Sequence, residues 1–66
     1  MEIEEYYEFI KDFWKFQKKW LRKPHLNEYD FVSILLEAEM LHQKYNNGYC
    51  MDVLTAFCRE LERRNQ

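Results

Sequence analysis

The chain is poor in residues that break or bend a backbone. It carries one Gly and one Pro in 66 residues. That excludes a phosphate-cradling glycine loop, a collagen repeat and a flexible linker. Two cysteines, Cys50 and Cys58, are too few for a disulfide framework. No apolar run approaches the ~18 residues that a membrane-spanning helix needs. No sign of charge dominates either: 10 Lys and Arg stand against 12 Asp and Glu, a net charge of −2. Whole-chain charge therefore makes no case for nucleic acid or for an anionic membrane. The opening residues MEIEEYYE are acidic where a secretory signal is basic and then apolar. The expectation is a cytoplasmic protein.

What is present suits one small folded domain. Hydrophobic residues make up 47% of the chain and charged residues 33%. Size scaling predicts a folded surface of ~4,600 Å², with roughly 60% of the unfolded surface buried. That supports one core without a deep pocket. Phe, Tyr, Ile, Asn and Lys total 23 residues, whereas Gly, Ala, Arg and Pro total 8. The first group has AT-rich codons, which associates the chain with a low-GC bacterium, phage or mobile element.

Three segments show helical periodicity, separated by two short breaks. The first is predicted over about 2–22, with Glu2, Glu4, Glu5 and Glu8 at its start and Lys15, Lys18, Lys19 and Arg22 near its end. This order complements the helix dipole. Pro24 disfavours helical geometry at Lys23 and stops the segment. Asn27 reads as the next N-cap, with Asp30 in the capping-box position and Leu26 and Phe31 placed as a hydrophobic staple. The second segment is predicted over 28–45. Asn46-Asn47-Gly48 ends it, with Gly48 or an Asn expected in the left-handed conformation. The third is predicted over about 49–63, capped by Asn47 or Asp52. Short connections favour antiparallel neighbours, so the predicted fold is all-α: an up-down-up three-helix bundle, expected to dimerise.

The apolar residues exceed what such a bundle buries. In the first segment Ile3, Tyr7, Ile10, Trp14 and Leu21 form one seam, the expected core face. Phe9, Phe13, Phe16 and Trp20 form a second seam made wholly of aromatics. In the second segment Phe31, Ile34, Leu35, Ala38, Leu41 and Tyr45 form one face, and Tyr29, Val32, Leu36 and Met40 lie nearly opposite. A helix apolar on two sides is sandwiched between neighbours, and three helices supply too few. Surplus aromatic surface marks an interaction site; the alternative is a wide core in which Tyr and Trp lie half-buried with their polar tips in water. The expected partner-binding residues are Phe9, Phe13, Phe16 and Trp20, rimmed by Lys15, Lys19 and Lys23.

The charged and reactive residues point to no catalyst. Lys11, Lys15, Lys18, Lys19 and Arg22 share a sector about 100° wide. This is the candidate nucleic-acid face of the alternative reading, though Glu4 and Glu8 interrupt it and no recognition helix follows. Cys50 and Cys58 stand eight residues apart, about 12 Å along a helix, too far to share one metal ion or a disulfide. His25 and His42 have no ligand spacing. Ser33 lacks a base and an orienting acid, and paired carboxylates lack a cleft. No cofactor or metal is expected. The sequence therefore predicts a small, non-enzymatic interaction module. It would act by covering a surface of another protein, as an inhibitor or adaptor from a phage or mobile element would. A small nucleic-acid-binding regulator is the alternative.

Overall fold

A computed structural model describes residues 1–65. It contains three helices, α1 Ile3–Leu21, α2 Glu28–Lys44 and α3 Gly48–Arg64, and no strand among the described residues. The end of α1 meets the start of α2 through Lys23 and Asp30, and Asp12 of α1 meets Lys44 and Tyr45 at the far end of α2. These two helices are thus antiparallel. Tyr6 near the start of α1 faces Tyr49 near the start of α3, and Phe13 and Phe16 meet Phe57 further along. So α3 runs parallel to α1, in up-down-up order.

The helix ends follow from local chemistry. Asn27 caps α2: its side chain accepts from the Asp30 amide at 2.9 Å, and the Asp30 carboxylate accepts from the Asn27 amide at 3.0 Å. This is the reciprocal capping box predicted from the sequence. Asn47 caps α3 by accepting from the Tyr49 amide at 2.8 Å, so Asn47 and not Asp52 is the cap. The second turn corrects one expectation. No residue adopts a positive φ among those described, and Gly48 is the first residue of α3 instead of a left-handed stop for α2. The chain leaves α2 through Tyr45 at φ −121° and ψ 63°, a conformation open to residues with a side chain.

The core is one side chain deep and aromatic. Phe9, Phe13, Phe16 and Trp20 of α1 are buried against Ile34 and Tyr45 from α2 and its end, and against Cys50, Leu54, Phe57 and Leu61 of α3. Phe9 stacks on Phe13 at 5.5 Å, and Phe57 stands edge-on to Phe13 at 5.8 Å and to Phe16 at 5.4 Å. Such offset and edge contacts add about 0.5–1.5 kcal/mol per pair beyond area burial. The bundle measures 37 × 17 × 16 Å and exposes 5116 Å², more than the ~4,600 Å² of an average chain of this size. A long thin shape leaves more side-chain surface in water.

Here the two seams of α1 exchange roles. The seam expected to face a partner closes the bundle, and the seam expected in the core, Ile3, Tyr7, Ile10 and Trp14, is exposed. Leu21 alone of that set packs against the core. The physical reason lies in the aromatic seam and beside it. Three Phe and a Trp bury more apolar surface than the other seam, which includes the polar-tipped Tyr7, and Asp12, Lys19 and Lys23 beside them meet opposite charges on α2.

Candidate interaction surface

Phe9, Phe13, Phe16 and Trp20, the anchors expected from the sequence, are 0–8% exposed. They present no surface to a partner. Of their expected lysine rim, Lys19 pairs with Glu37, Lys23 pairs with Asp30 at 2.8 Å, and Lys15 borders a groove between α1 and α2. Lys19 and Lys23 also lie over the Trp20 ring, at 5.0 and 5.7 Å from its centroid.

These groups form a polar edge along the α1–α2 seam. Asp12 meets Lys44, Lys19 meets Glu37 and Lys23 meets Asp30, so α1 read forward matches α2 read backward. Partly exposed pairs are worth only about 0–1 kcal/mol each. They mark the rotation and register in which the two helices meet. Two neutral donors complete the edge. The Trp20 indole Nε1 donates to Glu37 at 2.6 Å, and the Tyr45 hydroxyl donates to Asp12 at 2.6 Å. The Tyr45 hydrogen bond, with Lys44 beside it, holds the Asp12 carboxyl below its ordinary range. The Lys23 ammonium and the Asn27 amide do the same for Asp30. Desolvation and the bond to Asp12 push the Tyr45 phenol up.

The exposed apolar residues define the candidate surface. On α1, Ile3 (78% exposed), Tyr7, Ile10 and Trp14 (53%) recur every three to four residues as an unpaired stripe. On a helical wheel it lies roughly 120° from the core seam, on the flank away from the α1–α2 polar edge. Tyr6 and Tyr49, whose rings stand 5.7 Å apart, extend it toward α3. Lys11 lies over the Tyr7 ring at 5.0 Å and Lys18 over the Trp14 ring at 5.9 Å. The border changes sign along the helix: Lys11 pairs with Glu8 at 3.3 Å, whereas past Trp14 the neighbours are Lys18 and Arg22.

A second stripe runs along α2. Tyr29 (84% exposed), Val32, Leu36 and Met40 lie on the far side of the helix from Ile34. The two stripes open on different sides of the bundle. Between α2 and α3 an open groove of about 550 Å³ is lined by Leu35, Ala38, His42, Met51, Leu54 and Cys58, among others. The expected apolar face of α2 is accordingly narrower than predicted: Leu35 lies at the groove and not in the core.

The basic sector of the alternative reading is dispersed. Lys19 is committed to Glu37 and Lys11 to Glu8, while Lys15, Lys18 and Arg22 form no ion pair among the described residues. Cys50 is buried and Cys58 half-buried, and desolvation raises both thiols, with Glu62 adding to the effect at Cys58. Among the described residues no group of three His, Cys, Asp or Glu side chains converges on a point, and no helix is long and apolar enough to cross a membrane.

Fold and surface together define a small three-helix bundle with an aromatic core and two exposed apolar stripes. No protein-family model matches the chain, and no curated protein or solved structure does either.

Proposed function

We propose that this protein is a small, non-enzymatic protein-interaction module that works by covering a surface of a partner protein. The observation that carries the reading is Trp14. A tryptophan half open to water, in line with Tyr7, Ile10 and Ile3, has the composition that dominates binding energy at interfaces. The partner's complement is an apolar groove with an acidic rim at the Trp14 end, where Lys18 and Arg22 stand. An inhibitor or adaptor of a phage or mobile element fits the small size and the AT-leaning composition.

The test compares baits in a bacterial lysate. Wild-type protein should retain a species that Trp14→Ala loses and that Lys18→Glu or added salt weakens. Both variants should keep the wild-type circular dichroism, because neither residue is in the core. Identical capture by wild type and Trp14→Ala refutes the α1 stripe as the binding face.

A further inference from the structure

The α2 stripe is independent of the surface just described, and its spacing carries information of its own. Tyr29, Val32, Leu36, Met40 and Gln43 follow one another at intervals of 3, 4, 4 and 3 residues, all exposed. That order reads the same in both directions from Leu36. A helix face with this symmetry meets its own copy position for position when the two run antiparallel about a two-fold axis at Leu36. Leu36 then faces Leu36 of the second copy, Val32 faces Met40, and Tyr29 faces Gln43.

We propose that α2 is the dimer interface of this protein, with two copies packed antiparallel through this stripe. Charge supports the same orientation. The first turn of α2 carries Glu28 and Asp30, and its last turn carries His42 and Lys44. Antiparallel pairing sets each acidic turn beside the basic turn of the second copy, and opposes the two helix dipoles. On the open flank Glu28 comes within about 3 Å of the level of His42 of the second copy, while on the other flank Asp30 and Lys44 are already paired within their own chain, with Lys23 and Asp12. Of the acidic residues nearest the axis, Glu37 is already met by Lys19 and Trp20 of its own chain, and the two Glu39 are exposed to water and about 9 Å apart along the axis. Parallel pairing would instead gather both acidic turns at one end. Several large side chains more than half exposed, contributed by each copy, amount to a buried area on the order of 1,000 Å², the lower end of specific interfaces. An isologous contact of this kind closes after two copies and leaves the α1 stripe open on both.

Sedimentation equilibrium of the wild-type chain should give twice the chain mass at high concentration and dissociation on dilution. Leu36→Lys should raise the dissociation constant at least about tenfold by placing two like charges on the axis, and its helical circular dichroism should remain. Orientation is read by cysteine trapping under mild oxidation, with the wild-type chain as the control for Cys50 and Cys58. Leu36→Cys should form a covalent dimer. Tyr29→Cys should not, because antiparallel pairing holds the two Tyr29 positions about 21 Å apart, but a mixture of Tyr29→Cys and Gln43→Cys should. A wild-type chain that stays monomeric at its highest soluble concentration overturns the proposal. So does a dimer that survives Leu36→Lys, or one that Tyr29→Cys traps by itself. Loss of dimer in Leu36→Lys with retained capture by the Trp14 face separates this inference from the proposed function.

Discussion

Phe13 and Trp14 are neighbours in the chain, about 100° apart on α1, and truncating each should have opposite consequences. Phe13 is buried, stacked on Phe9 at 5.5 Å and edge-on to Phe57 at 5.8 Å. Replacing it with Ala removes a ring from the centre of a core one side chain deep. Such substitutions cost about 3–5 kcal/mol. At about 0.05–0.15 kcal/mol per residue, the whole chain has only about 3–10 kcal/mol of stability. The Phe13→Ala variant should therefore lose most of its margin. At about 4–8 °C per kcal/mol for a domain this small, the melting temperature should fall by about 12–40 °C. Trp14 has half its surface in water, and Ala there should change stability by within about 0.5 kcal/mol. The assay is urea and thermal unfolding followed by circular dichroism, at one fixed protein concentration so that self-association does not differ between variants. Trp20 serves as a buried fluorescent reporter in both. A Trp14→Ala variant that loses several kcal/mol, with Phe13→Ala nearly neutral, would show that α1 is rotated the other way and would refute the assignment of its faces.

Three further outcomes follow from the polar edge and the thiols. Asp12 and Asp30 are held below the ordinary carboxyl value of 3.8. Groups with a lowered folded value stabilise above that pH and lose the contribution as pH falls through it, so thermal stability should drop below about pH 4, and Asp12→Asn should remove part of that drop; an unchanged acid profile in the variant would exclude Asp12 as a source. Glu37→Ala should cost about 1–3 kcal/mol because the Trp20 indole loses its acceptor, whereas Glu37→Gln, which keeps an acceptor, should cost less than about 1 kcal/mol; equal losses in urea unfolding would show that the ion pair and not the indole bond matters. Thiol labelling should be biphasic, Cys58 reacting first and Cys50 only through opening of the bundle; equal rates would place both thiols outside the core.

The helices were legible because their ends are written in local chemistry. Asn27 with Asp30, Pro24 after a basic turn, and Asn47 each act within a few residues of themselves. The assignment of α1's faces was not legible in the same way. A helical wheel shows two apolar seams but does not say which one meets the neighbours. That choice belongs to partners distant in sequence: Lys44 for Asp12, Glu37 for Lys19, Asp30 for Lys23. A pairing of charges across the Pro24 turn, with α1 read forward and α2 backward, was the available signal. It identifies the flank of α1 that faces α2, and with it the aromatic seam as core. The surplus of apolar residues was legible in amount but not in position on α1, since the stripe left outside is the one that fitted the core equally well. On α2 both apolar faces were visible, but not which of them would be left outside, and Leu35 of the face that joins the core lies at the groove instead.

Asn65 reaches back to the α1–α2 turn, where its side chain accepts from the Leu26 amide at 3.2 Å and donates to the Leu26 carbonyl at 3.0 Å. An amide in a surface turn ordinarily trades its hydrogen with solvent at once. This one is held by a side chain 39 residues further along the chain. Its exchange rate therefore counts how often the Asn65 side chain, at the C-cap of α3, lets go of the turn between the other two helices. One proton, outside every helix, becomes a clock for the latch between the end of the third helix and the turn joining the first two.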